Sequence, residues 1–379
     1  MLSYKTRKRG LHRLRSIFSP KVLIATILGA VILATVLSLS DISAVWHIME
    51  GFPPHVIPIL FALVVGREIL RSIQWRIFLN AIGIHASRRE AFLTLAGGDA
   101  AQILPAGLFF QDLLVSRELN TSVSEPLAAT TLMIWMEVTV AMLALAILGL
   151  PGIPALQPIM AFCGIGSLVV LLLAHTHALN LVLNLVRRFE GKFRRGRKLV
   201  QGLESFVGSF APLSHPKVLL SGLVLCAAYM TLTIYGFYLV CVYLNIPGIG
   251  VPEAAAIYSL VLAIVDVNPL PSDLGVSELS GVGGFLAFHV PASAGLAAML
   301  TFRITLLLSE ELVAVGAFLI FHEETKRLFR PKKTAKPMAE GKDAALEKPA
   351  RARDTQPQNA AGSVDDVAAN QVPDLPIST

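Results

Sequence analysis

The sequence predicts an all-α, polytopic integral membrane protein, and three observations lead there. Hydrophobic residues make up 54% of the chain and charged residues only 15%, with a mean hydropathy of +0.65, far from the balance of a soluble domain. The charge is also segregated: seven of the 32 Lys and Arg fall within residues 5–21, seven more between Arg187 and Lys198, and another cluster opens at Lys326. Basic blocks alternating with long apolar runs fit cytoplasmic loops, so the pI of about 9.3 reflects the positive-inside bias and no nucleic-acid partner is expected. Third, two apolar segments are interrupted in their middles by Pro and Gly. Irregular backbone at membrane depth is tolerated only where it is buried in protein or lines a wet cavity, so a broken segment points at a site.

Taken in order, residues 1–20 are a basic cytoplasmic N-terminus. The apolar run Val22–Leu39, 18 residues long, exceeds the hydrophobic region of a signal peptide and suits an uncleaved spanning helix. Six runs have the roughly 20-residue length that crosses about 30 Å of hydrocarbon: 21–40, 55–75, 126–150, 157–178, 217–243 and 293–321. The connections 41–54, 150–156 and 244–252 carry no Lys or Arg, whereas 76–90 carries Arg76, Arg88 and Arg89, which sets both termini on the cytoplasmic side. The broken segments are 91–115 and 253–290. By parity the first enters and leaves from the inside, and the second begins and ends outside, as a re-entrant hairpin or as two short spans. The basic loop 179–216 reads either as a surface helix on anionic lipid or as a solvated loop, with Phe189, Phe193, Leu199, Leu203 and Phe206 among its basic residues. The segment 323–379 is rich in Ala, Pro, Lys and Asp, cannot bury a core, and is expected to be a disordered cytoplasmic tail.

Two spans, a broken segment and a third span are followed by the same order in opposite orientation. The chain therefore divides into membrane repeats 21–150 and 151–322, an inverted-topology repeat. A shift of 166 residues lays Leu104 and Pro105 on Leu270 and Pro271, Asp112 on Glu278, and Glu137 on Arg303. The same shift fails at the first helix of each half, where it lays 21–40 on the basic loop.

Charges inside apolar helices are the candidate functional residues, because each costs about 3 kcal/mol at mid-membrane on insertion scales. Glu137 is about a dozen residues from either end of its span, beyond snorkelling reach, and Arg303 is similarly deep. They are expected to face the interior, paired with each other or presented to a charged substrate group, and a purely structural ion pair is the equal alternative. Glu310 and Glu311 approach the inner boundary, where interfacial solvation is expected. Arg71 has the reach to snorkel to the interface, while Arg67 lies deeper, beside Glu68 or an anionic headgroup. Trp75 reads as an interface anchor and Trp135 as a packing residue.

The broken segments gather polar residues around helix breakers: Asp99, Gln102, Gln111 and Asp112 with Pro105 and Gly107 in the first, and Asp266, Asn268, Ser272, Asp273, Ser277 and Glu278 with Pro269, Pro271 and Gly275 in the second. Individually these acids suit caps at half-helix N-termini. Together they suit a central substrate site gated by the breaks. Cys163, Cys226 and Cys241 lie in apolar runs without metal or disulfide spacing, so no metal and no cofactor are expected. No Ser/His, Cys/His or HExxH arrangement suggests catalytic residues, His175 and His177 sit at a span end, and no ATP-binding motif is present.

The runs REILRSIQWRIFLNAIGIHASRREAFLTLAGGDAAQILPAG and PLPSDLGVSELSGVGGFLAFHVPASAGLAAMLTFRITLL resemble the transmembrane region of lysylphosphatidylglycerol synthases, a region also found as stand-alone membrane proteins. The more specific match is the proline turn, Gly, acid and following Arg at Pro271, Gly275, Glu278 and Arg303. The first motif departs from the family: where many members have an Arg-Leu-Gly-acid sequence, this chain has Phe109, Phe110, Gln111 and Asp112 after Pro105 and Gly107. That departure puts the identity of the headgroup in question.

The resemblance implies a flippase-like membrane region of a bacterial inner membrane, without the soluble aminoacyl-transfer domain, for which nothing after Phe329 has the composition. It implies a non-enzyme that moves a lipid or lipid-linked molecule between leaflets, with Glu137, Arg303, Asp112, Glu278, Asp273, Asn268, Asp99 and Arg67 as substrate-binding candidates. The rival is an accessory or scaffold subunit for a lipid-modifying or glycosyl-transferring enzyme. Expected partners are the membrane lipid or lipid-linked substrate, anionic lipid at the basic loops, and under the rival reading a lipid-modifying enzyme.

Overall fold

The computed structural model describes residues 31–35, 37–38, 40–101, 107–119, 121–173, 196–266 and 275–329, all within the compact unit Met1–Arg330. Helices dominate, and there is no strand among the described residues. They are α1 (Ile42–Glu50), α2 (Ile57–Ala81), α3 (Arg88–Ala100), α4 (Phe110–Leu119), α5 (Ser124–Leu148), α6 (Leu156–Leu173), α7 (Gly196–Leu213), α8 (Pro216–Tyr243), α9 (Val251–Val265), α10 (Val276–Ala287), α11 (Ala292–Ile320) and α12 (His322–Phe329).

Local sequence explains where they start. Asp41 accepts hydrogen bonds from the Ser43 and Ala44 amides at the head of α1. Ser87 and Glu90 form a reciprocal capping box at α3, the Glu90 amide donating to Ser87 Oγ at 3.2 Å and the Ser87 amide to Glu90 Oε2 at 2.8 Å. Pro58, Pro216 and Pro252 stand in the first turns of α2, α8 and α9, where a missing amide hydrogen costs nothing.

The long helices α5 and α8, of 25 and 28 residues, have the length and apolarity to cross a membrane. Exposed Ile147, Phe162, Leu220 and Leu319 project from α5, α6, α8 and α11, an outer surface suited to hydrocarbon. α2 and α11 match them in length but carry charges in their interiors.

The two broken segments are each a pair of short helices packed side by side, α3 on α4 and α9 on α10. With 13, 10, 15 and 12 residues, none of the four reaches the roughly 20-residue length of a full crossing. The packing pattern survives exchange of the two sets of helices. α3 packs on α2 and α11 while α9 packs on α8 and α5; α4 packs on α5 while α10 packs on α11; and α2 meets α5 as α8 meets α11.

α2 and α8 cross at their closest around Gly222, whose carbonyl accepts from Gln74 Nε2 at 2.9 Å and whose missing side chain leaves room for Phe78 and Met136. The core there is built on Trp75, Phe78, Leu132 and Met136, and a second core stacks Phe237, Tyr258, Phe285 and Phe302. Trp75 is fully buried and donates to Thr94 Oγ1 at 3.3 Å, so it is a core residue rather than an interface anchor. Trp135 packs near Phe210 and donates to Ser167, in keeping with its expected packing role.

Three boundaries differ from the sequence reading. The connection 41–54 contains helix α1. Glu323–Phe329, assigned to the tail by composition, form α12, while the rest of the tail lies outside the described residues. Within the basic loop, α7 buries Phe210 and Leu213 and packs on α5, so that stretch is a docked helix; Phe189 and Phe193 lie outside the described residues.

Candidate functional site

Five helices bring charged or hydrogen-bonding side chains to one buried cluster. From α2, Arg67 Nη1 donates to Glu68 Oε1 at 2.7 Å and also to Glu310 of α11. One turn on, Arg71 Nη1 reaches both carboxylate oxygens of Asp99, in α3, at 3.0 and 3.1 Å, and lies 3.6 Å from Glu68 Oε1. Arg71 Nε is 3.8 Å from Glu137 of α5, which accepts a 2.7 Å hydrogen bond from the Tyr229 hydroxyl of α8. Glu68, Arg71, Asp99 and Glu310 are each buried. In so dry a setting an isolated charge is strongly disfavoured, so each holds its place through the others.

Beside the cluster, α2, α8 and α11 meet at a narrow apolar crevice with room for about one water molecule. Leu60, Val64, Leu232, Phe302 and Leu306 line it, with Thr233 and Thr305 adding hydroxyls and Arg67 the only charge among the described residues there. An apolar seam ending on a guanidinium has the polarity of an amphiphile's surroundings.

Two smaller polar centres sit at the broken segments. At the head of α10, Gly275 adopts φ +81°, a left-handed turn natural to glycine, and its amide donates to Glu278 Oε2 at 2.8 Å. The other Glu278 oxygen takes Arg303 Nη1 of α11 at 2.5 Å, and Ser277 Oγ contacts both residues. At α4, the fully buried Asp112 accepts from Thr130 Oγ1 at 2.6 Å, and Thr130 in turn accepts from Gln111 at 2.8 Å. Asp112 Oδ2 has no partner among the described residues.

Apolar helices threaded by paired mid-length charges identify a membrane region, and comparison gives it a family. The family model described as the lysylphosphatidylglycerol synthase TM region matches residues 22–309. The chain belongs to that family. No curated protein matches it. As a member, it is a membrane protein whose family is tied to lipid modification or flipping.

Within this member of the family, Arg67, Asp99 and Glu137 share the main cluster, whereas Glu278 with Arg303 and Asp112 form separate centres. Glu137 and Arg303 do not pair with each other: helix packing gives Glu137 to Tyr229 and Arg71, and Arg303 to Glu278. Glu278 caps its half-helix as expected, while Asp99 stands near the C-terminal end of α3, where it holds Arg71 instead of capping. Gly107 opens a short 3-10 turn before α4. Pro105, Asn268, Pro269, Pro271 and Asp273 lie outside the described residues.

Two residues expected at the interface are central. Arg71 does not snorkel, because α2 continues to Ala81, ten residues beyond it. Glu310 is not solvated, because α11 likewise runs ten residues further, to Ile320. Tyr229 and Thr130, which complete the polar contacts of Glu137 and Asp112, drew no attention in sequence; an uncharged hydroxyl in an apolar run gives no signal of its partner.

Proposed function

We propose that this chain is a non-enzymatic, flippase-like transporter that moves a lipid or lipid-linked molecule between leaflets of a bacterial inner membrane. The observation that carries this reading is the juxtaposition of the apolar crevice between α2, α8 and α11 with the largely enclosed Arg67–Glu310 pair, an apolar lining suited to acyl chain beside charge suited to a headgroup, if the helices part to admit them. The interchangeable packing of the two helix sets supports an inverted repeat, with α3–α4 and α9–α10 as re-entrant hairpins gating from opposite faces. Six spans with both termini cytoplasmic complete the topology, and the basic loops rest on anionic lipid.

A second reading, an accessory subunit of a lipid-modifying or glycosyl-transferring enzyme, is supported by the mutual pairing of the buried charges, which suits helix locking as well as substrate contact. Leaflet exchange of labelled anionic and zwitterionic phospholipids in liposomes carrying the purified protein tests both. Exchange by the wild type, lost in a folded Glu137→Gln/Arg303→Gln variant, is the expected result. A folded wild type that exchanges none of the panel favours the accessory subunit.

A further inference from the structure

The main cluster is out of electrical balance. Four carboxylates, Glu68, Asp99, Glu137 and Glu310, meet two guanidiniums, Arg67 and Arg71. The imbalance centres on Arg71 Nη1, which Glu68 and Asp99 share at 3.6 and 3.0 Å. Two carboxylate anions crowded on one guanidinium nitrogen repel, and a proton on one of them relieves that repulsion. Independently, Glu68 Oε2 is buried and has no hydrogen-bond partner among the described residues, in a residue only 2% exposed. A proton on Glu68 removes a buried charge that nothing at Oε2 compensates.

The surroundings fix which acid carries it. Arg71 binds both oxygens of Asp99, which favours the anion there, while Glu68 is contacted through Oε1 alone, by Arg67 at 2.7 Å and more distantly by Arg71. Arg67 is shared with Glu310 of α11, and Arg71 with Glu137 of α5, itself held by Tyr229 of α8. α4 presents the uncharged Gln111 to the glycine preceding Asp99. Every other facing charge is thus already engaged, and one proton on Glu68 halves the excess of negative charge.

We propose that Glu68 and Asp99 form a proton-binding site that couples substrate movement to proton movement. This rests on the transport reading above. The proton is taken from water on one side onto the Glu68 carboxylate, giving a neutral carboxylic acid beside the Asp99 anion. It returns to water on the other side when the α3–α4 hairpin swings to pass the substrate, drawing Asp99 away and letting water reach Glu68, where hydration and the remaining Arg67 both favour the anion. No bond other than O–H forms or breaks.

Infrared difference spectroscopy on the purified full chain at neutral pH reads the proton directly. The wild type should show a carboxylic-acid carbonyl band that shifts in D₂O, and Glu68→Gln and Asp99→Asn should each lose it, since either amide removes one of the two crowded carboxylates. Absence of a D₂O-sensitive band in the wild type, or its retention in both variants, overturns the site whether or not the variants fold well. Liposomes with an entrapped pH indicator then test coupling. Lumenal pH change accompanying lipid exchange, lost in Glu68→Gln, supports it. Exchange without proton movement overturns the coupling and leaves the transporter standing, whereas no exchange of any lipid defeats the transporter and the coupling together, with the band still reporting the proton on Glu68.

Discussion

Arg67 and Glu310 form a largely enclosed ion pair across 243 residues of sequence, joining α2 to α11. The pair sits where the crevice ends, so it serves both assembly and the proposed headgroup site.

Removing one partner should cost much more than removing both. Glu310→Gln leaves the Arg67 charge half-compensated and should destabilise by about 3–5 kcal/mol, while an Arg67→Met/Glu310→Met chain should recover most of that loss. Denaturation in mixed micelles, analysed as a double-mutant cycle, gives the coupling; additive losses would show that the pair contributes no mutual energy.

At Glu278, cap and charge are separable. Glu278→Gln keeps an acceptor for the Gly275 amide but gives up the charge facing Arg303, whereas Glu278→Ala loses both. The alanine chain should be less stable than the glutamine chain by about 0.5–2 kcal/mol, the size of an N-terminal cap. Equal unfolding midpoints would mean the cap is idle.

Thr130 is the only donor to Asp112 and the acceptor for Gln111, among the described residues. Thr130→Val keeps the shape but orphans both, and should cost about 1–3 kcal/mol for each buried group left unsatisfied. Thr130→Ser, which restores the hydroxyl, should return most of it in the same thermal melt.

Glycines along the helices should split sharply by what surrounds them. A Cβ at Gly222 would come 2.6 Å from Phe78 and 2.9 Å from Met136 Sδ, so Gly222→Leu should cost at least about 1–3 kcal/mol by overpacking. Gly283, inside α10 with nothing near its would-be Cβ, should accept Ala with a gain of about 0.8–1 kcal/mol in helix propensity. Melting temperatures of the two variants should move in opposite directions.

Sequence reading located the breaks in the helices, because Pro and Gly act through local backbone sterics and need no tertiary information. Counting depth within an apolar run picked out Arg67, Glu137 and Arg303, which are largely enclosed, and the breaks themselves picked out Asp99, Asp112 and Glu278, which are buried. Partnership was not readable. Glu137 and Arg303 were matched by register, yet Glu137 meets Tyr229, 92 residues away, through the packing of α5 on α8. Depth near helix ends caused the remaining errors: the sequence reading ends the second span at residue 75 although α2 runs on to Ala81, and takes Glu310 as near the boundary although ten residues of α11 follow it.

A single backbone hydrogen bond, from the Gly152 amide to the Ala287 carbonyl at 3.2 Å, pins the turn after α5 to the end of α10. A side chain at Gly152 would collide with Ala287, so the two strands of chain touch almost bare. The base of the second hairpin is thus latched to the turn that joins the two halves. If the hairpins swing, they swing as linked doors: opening one tugs the corner that carries α5, with Glu137 on it, and the halves must keep time with each other.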